Sequence, residues 1–222
     1  MNAPIVQSTQ GVTLAGGGPF SARDLKLALA RAPVAVAADS GADRLLRFGV
    51  APQAVIGDMD SISDRARAEI PQERQHFVAE QATTDFDKAL RLIAAPLVLA
   101  LGFAGARLDH GLAAMSTLIA RAERRCILIG PRDLAFAAPL RLELALREGD
   151  PVSLFPMAPV TGRSEGLEWP IAGISFAPDG MIGTSNRALA RRVVLELDGR
   201  GMLVILPRRR LDAAIKALLA AP

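Results

Sequence analysis

Short, almost continuous apolar runs alternate with longer helical patterns through the first 130 residues, and this alternation is the strongest constraint on the fold. Val34–Ala38 and Cys126–Ile129 are typical of these runs. Strands without polar positions are buried on both faces, as in parallel sheets that are covered by helices. The pattern predicts an α/β N-terminal domain with a mostly parallel, Rossmann-like sheet. The segments that we predict as its strands are residues 12–16, 34–38, 54–56, 76–78, 97–101 and 126–129, and those predicted as helices are residues 21–29, 42–48, 84–94 and 110–122.

Beyond Pro131 the pattern changes to short apolar segments separated by turn residues, which is typical of an antiparallel sandwich or barrel. The predicted strands are residues 140–145, 152–155, 166–171, 180–183, 192–197 and 202–206. Residues 198–201, Asp-Gly-Arg-Gly, predict a hairpin between the last two, and residues 211–220 predict a C-terminal helix. We therefore expect an α/β domain over residues 1–132 and an all-β, sandwich or barrel-like domain with a C-terminal helix over residues 139–222.

Composition excludes several classes of protein. The 222 residues are 50% hydrophobic and 22% charged, so the chain can bury a sizeable core, and its single cysteine excludes a disulfide framework. Lys and Arg total 26 against 23 Asp and Glu, a net charge of +3, which does not indicate a nucleic-acid partner. Residues 1–11 lack the basic and apolar segments of a signal peptide, and no apolar run reaches the ~18 residues of a membrane helix. We expect a cytoplasmic protein without a membrane partner.

Aspartate is unevenly distributed, with eight of the 14 between residues 39 and 109. Four loops that follow predicted strands carry glycine or aspartate, and the carboxyl ends of parallel strands share one edge, where ligands bind. Glycines allow a backbone to approach a phosphate, but carboxylates at the same edge repel it unless a cation lies between them. The pattern therefore predicts Mg²⁺ with a polyphosphate. The four loops are residues 16–18, 39–41, 57–61 and 102–110.

Each of these features also has a structural interpretation. The three glycines at 16–18 are followed by no Walker lysine, so a plain turn is equally consistent with them. Asp39 and Asp109 suit helix caps, and Asp85 begins a predicted helix, where the dipole favours acids. Asp58 and Asp60 repel each other unless something binds, which favours metal ligation. A lone tryptophan such as Trp169 is more often a core residue than a binding platform.

Several short motifs, taken in order, resemble the thiamine pyrophosphokinase (thiamine diphosphokinase) family. The resemblance extends from Ala38 to about Pro207, and a Gly-Asp-x-Asp-Ser element, an Arg-x-Asp-His element and a Gly-Leu-x-Trp element make it specific. The matching stretches are residues 38–42 (ADSGA), 56–61 (IGDMDS), 84–90 (TDFDKAL), 105–110 (GARLDH), 153–156 (SLFP), 166–170 (GLEWP) and 183–186 (GTSN).

The resemblance implies transfer of a diphosphoryl group from ATP to thiamine, giving thiamine diphosphate and AMP with Mg²⁺. It also implies a homodimer whose active site lies between the α/β domain of one subunit and the β domain of the other. The implied metal ligands are Asp58, Asp60 and Asp85, which with Asp109 form the catalytic set. The implied nucleotide contacts are Asp39, Ser40, Gly102, Arg107 and His110. The implied thiamine contacts are Trp169, Ser185 and Asn186, and stacking of a cationic heteroaromatic on tryptophan is physically favourable.

The chain departs from the family pattern at three positions. Ala82 stands where the family usually has another acid, Ala106 replaces one of a glycine pair, and Ala114 replaces a common asparagine. Either Asp85 or Asp109 could act as general base. The alternative functions are a pyrophosphokinase for another alcohol, such as a pterin, and a non-catalytic nucleotide- or thiamine-binding protein.

Overall fold

The computed structural model describes residues 3–80, 82–105 and 107–221, so that Ala106 of the predicted 105–110 motif lies outside the described residues. The chain divides into two compact units. The first runs to Thr117 and includes Leu128–Pro131, and the second comprises Leu118–Ile127 and the chain from Arg132 onward. The domain limits at residues 132 and 139 stay a prediction.

Up to residue 131, strands and helices alternate, and the sequence-predicted parallel pairing is confirmed. Strands β7, β2, β3, β4 and β5 pair in that order, each parallel to the next. The strands are β1 (Val6–Gln7), β2 (Val12–Ala15), β3 (Val34–Ala38), β4 (Ala54–Gly57), β5 (Gln75–Phe77), β6 (Ile93–Ala94), β7 (Val98–Leu101) and β8 (Cys126–Ile129). The helices are α1 (Ala22–Leu29), α2 (Gly41–Arg47), α3 (Asp64–Glu69), α4 (Asp85–Arg91) and α5 (Leu108–Ala120).

Local sequence signals explain where these helices begin and end. Ser21 and Asp24 form a capping box at the start of α1, in which each side chain accepts a hydrogen bond from the other residue's backbone N–H. The Thr84 side chain accepts from the backbone N–H of Asp87 at the start of α4. Gly49, just beyond α2, has a φ of 74°, the left-handed conformation expected after a helix. These residues set where α1 and α4 begin and where α2 ends.

The prediction of a helix over residues 84–94 is wrong at its end. Helix α4 stops at Arg91, and β6 follows and pairs in parallel with β1, which the sequence pattern did not predict. Ile93 is buried in either arrangement, so its apolar character did not distinguish a strand from one more helical turn. Helix α3 was not predicted either, because its residues are mostly charged and only Ala66 among them is buried.

The second unit contains antiparallel sheets and a C-terminal helix, which confirms the coarse prediction for this half of the chain. Strands β13, β11, β15 and β9 pair in that order in one sheet, and β10, β14 and β12 pair in the other. The sandwich or barrel stays a prediction. The elements are β9 (Asp133–Ala137), β10 (Arg141–Ala145), β11 (Pro151–Pro156), β12 (Gly162–Glu165), β13 (Gly183–Arg187), β14 (Arg192–Leu197), β15 (Met202–Pro207) and α6 (Leu211–Ala220).

Four predictions of local structure are wrong in this unit, and one of them is the strand over residues 180–183, because β13 begins only at Gly183. Strands β14 and β15 belong to different sheets, so residues 198–201 connect sheets and do not form a hairpin between paired strands. No strand covers residues 166–171, because β12 ends at Glu165 and Gly166 turns the chain with a φ of 75°. Residues 133–137, expected between the domains, form β9 and pair with β15. In the part of the chain described here, no helix is long and apolar enough to cross a membrane.

Candidate active site

A cavity of about 530 Å³ in the first unit collects the loops that the sequence predicted to meet. Loops that follow β2, β3, β4 and β7 all contribute to it, as the parallel order of these strands requires. Of the twelve predicted site residues, eight line the cavity: Asp39, Ser40, Asp58, Asp60, Asp85, Gly102, Arg107 and His110. The remaining four are Asp109, Trp169, Ser185 and Asn186.

The glycines at 16–18 have a packing reason in addition to any role in binding. A Cβ on Gly18 would lie 2.4 Å from the carbonyl oxygen of Gly102, and the Gly18 backbone N–H donates to that oxygen. Gly102 itself has a φ of 79°, and a Cβ there would lie 2.6 Å from the Gly16 carbonyl oxygen. The loops after β2 and β7 therefore pack backbone against backbone at the cavity wall, and this contact requires residues without side chains.

Three carboxylates converge in the cavity, and they are not quite the three that the family resemblance implied. Asp39, Asp58 and Asp60 each offer an oxygen within 4.8 Å of the others. Asp39 is only 3% exposed, and its Oδ1 has no hydrogen-bond partner among the described residues. Burial raises the pKa of Asp39, and the charge of Asp85 adds to that effect. A hard cation with oxygen ligands fits this group, because it would satisfy the buried oxygen and reduce the repulsion.

The backbone at this group is strained in a way that sequence patterns did not reveal. Asp39 and Met59 have φ values of 45° and 59°, in the left-handed region that residues other than glycine rarely adopt. Arg67 of α3 donates from Nη2 to the Met59 carbonyl oxygen over 2.5 Å. Asp43 of α2 accepts a hydrogen bond from the backbone N–H of Ser63. Two neighbouring helices thus hold the loop that carries Asp58 and Asp60.

Lys88 is the site residue that the sequence analysis missed. Its Nζ lies 2.9 Å from Asp58 Oδ2 and 3.2 Å from Asp85 Oδ1, and its side chain is only 2% exposed. Burial alone would lower the pKa of Lys88, but hydrogen bonds from its ammonium to both carboxylates outweigh burial and raise it above the ordinary value. The available signal was its position on α4, three residues after Asp85, which places both side chains on one helical face.

Arg107 and Asp109 form a pair with each other at the start of α5. Arg107 donates from Nε and Nη2 to the two Asp109 oxygens over 3.1 and 2.5 Å, and both side chains are more than 60% exposed. The hydrogen bond from Arg107 lowers the pKa of Asp109 to about 2, with a further contribution from the His110 backbone N–H. Arg107 lines the cavity and Asp109 does not, so only the arginine of this pair faces the acidic group.

Trp169, Ser185 and Asn186 lie together in the second unit. Trp169 is 51% exposed, which contradicts its interpretation as a core residue. Asn186 is buried, and it accepts a hydrogen bond from the Trp169 backbone N–H and donates to the Trp169 carbonyl oxygen over 2.7 Å. Ser185 has a φ of 64°. The Arg187 guanidinium lies 5.5 Å from the Trp169 ring centroid, within the range of a cation–π contact.

Comparisons with known proteins agree on one family. A family model described as "Thiamin pyrophosphokinase, catalytic domain" matches residues 25–129, which contain every residue that lines the cavity except those at 17 and 18. The curated protein "Thiamine pyrophosphokinase 3" of Oryza sativa subsp. japonica is 29% identical to this chain over 70% of it and 71% of the relative.

Solved structures of low sequence identity share the fold. Thiamin pyrophosphokinase from Candida albicans superposes with a TM-score of 0.74 at 16% identity, over 92% of this chain and 93% of that chain. Thiamin pyrophosphokinase from Geobacillus thermodenitrificans superposes with a TM-score of 0.69 at 20% identity, over 88% and 96%. The chain is therefore similar to thiamine pyrophosphokinases in the sequence of its catalytic region and in its fold.

Proposed function

We propose that this protein transfers the diphosphoryl group of ATP to the hydroxyethyl oxygen of thiamine, giving thiamine diphosphate and AMP. The observation that carries the proposal is the group of Asp39, Asp58 and Asp60, with its buried and unsatisfied oxygen, in a cavity of the matched catalytic region. Such a group suits a metal-bound polyphosphate and would repel the same anion without a cation.

Mg²⁺ is the cofactor that these ligands suit, since all of the donor atoms are carboxylate oxygens. Asp58 and Asp60, from the predicted metal set, would hold it together with Asp39. When bound, Mg²⁺ neutralises phosphate charge in the transition state. Asp85, the third predicted ligand, already accepts a hydrogen bond from Lys88.

The remaining cavity residues would bind and orient ATP. Ser40 and Gly102 would contact the nucleotide at the cavity wall formed by the loops after β2, β3 and β7. These loops pack closely and have no bulky side chains at their glycines, so backbone groups could reach the ligand. Arg107 would turn from Asp109 to the phosphates, because a guanidinium binds phosphate as readily as carboxylate. His110 would lie beside it at the start of α5.

Asp85 suits the role of general base better than Asp109. Asp109 does not line the cavity in which the phosphates would bind. Asp85 lines the cavity with a side chain that is 37% exposed. The proton of the thiamine hydroxyl would pass to Asp85 as the oxygen attacks the β-phosphorus and AMP leaves.

The thiamine site would be formed by Trp169, Ser185 and Asn186 in a homodimer, with the reaction between the α/β half of one subunit and the β half of the other. Apolar side chains that are exposed in the single chain support this arrangement. Trp169 offers an exposed ring, and Leu108 and Leu112, one helical turn apart on α5, are 81% and 59% exposed in the single chain. A second subunit would cover such apolar surface.

One assay tests the function. Purified protein is incubated with ATP, Mg²⁺ and thiamine, and AMP and thiamine diphosphate are quantified by chromatography. Equimolar formation of both products is expected. Turnover only with another alcohol, such as a pterin, would change the acceptor, and thiamine binding without any product would indicate a binding protein.

Complementation tests the shared site. The variants Asp58→Asn and Trp169→Ala should each have low activity alone when thiamine is well below saturation, and after co-expression a mixed dimer would regain one site with both residues intact. Activity of the isolated mixed dimer close to half that of the unmodified dimer is expected. Activity no higher than the mean of the two parent variants would contradict a site between subunits.

A further inference from the structure

A buried lysine divides the acidic cavity into two parts. On one side, Asp39, Asp58 and Asp60 form the oxygen-lined group. On the other side, Lys88 contacts Asp85 over 3.2 Å. Asp58 belongs to both parts, because its Oδ2 accepts from the Lys88 ammonium over 2.9 Å.

We propose that Lys88 is a permanent second cation of the active site, so that the protein binds one divalent ion before nucleotide binds and not two. This proposal rests on the proposed function, and it assigns Asp85 to the lysine and Asp39 to the metal. Lys88 acts on the reaction through the two carboxylates that it fixes and is a positioning residue.

Burial makes the ammonium difficult to displace. With 2% of its side chain exposed, Lys88 cannot turn into solvent when a metal arrives, as an exposed lysine could. A divalent ion placed between Asp58 and Asp85 would meet this fixed positive charge within the cavity, where charges are screened weakly. At Asp39, by contrast, the buried Oδ1 has no hydrogen-bond partner within the described ranges. The geometry therefore leaves one position for a divalent ion.

In the described part of the loop before α4, Asp85 has no neighbouring carboxylate that could help to hold a second ion. Ala82 stands three residues before Asp85, and the other acid of that loop, Glu80, is bound by Arg91 over 2.5 Å. Within the described part of the loop, Asp85 is the acid that lines the cavity. A second divalent ion there would have Asp85 as its main ligand and would compete with Lys88 for it.

Binding of Mn²⁺ without nucleotide tests the proposal directly. Free Mn²⁺ is measured by electron paramagnetic resonance while the full-length protein is titrated, and turnover does not enter the measurement. One tightly bound ion per chain is expected. Asp60→Asn and Asp39→Asn should each weaken it by about tenfold or more, whereas Asp85→Asn should change the dissociation constant by less than about threefold. Two tight ions in the unmodified protein, or a loss with Asp85→Asn as large as with Asp60→Asn, would overturn the proposal.

Substitution of Lys88 tests whether its ammonium excludes a second divalent ion. Lys88→Met should admit a second Mn²⁺ between Asp58 and Asp85. Lys88→Met leaves the Asp58 and Asp85 carboxylates facing each other without a cation, and their repulsion could prevent folding. The double variant Lys88→Met/Asp85→Asn removes this repulsion and therefore provides a second, independent measurement. The double variant should bind one ion about tenfold more tightly than Asp85→Asn, since a positive charge next to Asp58 is gone. Equal affinity of the two would overturn the proposal. Lys26→Met, at an exposed position of α1, is the matched control and should leave binding unchanged.

The two proposals fail separately. If the protein makes thiamine diphosphate but Asp85→Asn loses metal, the function stands and the role of Lys88 is wrong. If the Mn²⁺ results hold and no thiamine diphosphate forms, the role of Lys88 stands and the function is wrong.

Discussion

The two units present their candidate residues in opposite ways. In the first, two of the charged groups are buried, with Asp39 at 3% and Lys88 at 2% exposure, and Lys88 contacts the carboxylates of Asp58 and Asp85. In the second, Trp169 is half exposed and is fixed through its backbone by the neutral side chain of Asn186. Burying a charge costs free energy unless other groups pair with it, whereas an exposed aromatic ring needs only backbone hydrogen bonds that fix its position. The first unit therefore presents a partly buried charge network and the second an exposed aromatic platform.

Both units nevertheless use the same backbone device. The described residues other than glycine that have left-handed φ are Asp39, Met59 and Ser185, and all three lie in predicted binding motifs. Such a conformation costs about 1 kcal/mol or more, and it persists only where the surroundings hold it. In the first unit a guanidinium and two helices supply the support, and in the second the backbone N–H of Ser185 donates to the Ser153 hydroxyl.

The largest expected effect tests the charge network. Asp58→Asn should lower turnover by about 10³-fold while the fold is retained, because the variant keeps an acceptor for Lys88 but removes a charge from the metal group. Turnover is measured with saturating Mg²⁺, and the fold by circular dichroism. Asp64→Asn, at an exposed position of α3, is the control and should keep full activity. Retained activity of Asp58→Asn would remove Asp58 from the metal site.

The platform is tested by removing its ring. Trp169→Ala should weaken thiamine binding about 5- to 30-fold, since stacking of a cation is worth roughly 1–2 kcal/mol. The melting temperature should stay close to that of the unmodified protein, because Trp169 is 51% exposed. Binding is measured by calorimetry, with Leu219→Ala, 45% exposed on α6, as the control. Unchanged affinity with a lowered melting temperature would make Trp169 a structural residue.

Sequence patterns predicted the elements that depend on local signals. Strands β3, β8 and β14 and helix α6 have the predicted limits, because a continuous apolar run or a regular helical face defines each of them. The convergence of Asp39, Asp58 and Asp60 also followed from sequence, since the rule that parallel strands share a carboxyl edge needs only their order.

Features that depend on distant partners were not predictable in the same way. Strand β6 exists because Val6 and Gln7, nearly 90 residues earlier, pair with it. The connection between β14 and β15 has the residues of a hairpin, yet each strand pairs with others that come earlier in the chain. The Lys88 contact with Asp58 likewise joins residues 30 positions apart, so a helical pattern alone could not show it.

A smaller effect tests the support of the strained loop. Arg67→Met removes the hydrogen bond to the Met59 carbonyl oxygen, and the Mg²⁺ concentration for half-maximal turnover should rise about tenfold, as for other residues that orient metal ligands. Arg65→Met on the same helix, where the side chain is 85% exposed, is the matched control and should have no effect. Met59→Gly in the Arg67→Met background should recover part of the loss, because glycine adopts left-handed φ without strain. No recovery would mean that Arg67 does not act through this backbone conformation.

The smallest effect concerns the one strongly buried carboxylate among the described residues of the second unit, Asp150, which binds Arg209 and Arg210 before α6. Burial alone would raise the pKa of Asp150, but hydrogen bonds from Arg210, the Arg147 backbone N–H and Arg209 outweigh it and lower the pKa below 3.8. A carboxyl with a lowered pKa in the folded state contributes stability above about pH 4, and this contribution is lost as the pH falls through the folded-state value. Unfolding by urea should therefore show stability decreasing below about pH 4, and Asp150→Asn should flatten this decrease, whereas exposed Asp179→Asn should not. If the unmodified protein, Asp150→Asn and Asp179→Asn show the same dependence of unfolding free energy on pH, the buried Asp150 does not stabilise the second unit. Buried charge would then matter in the first unit and not in the second.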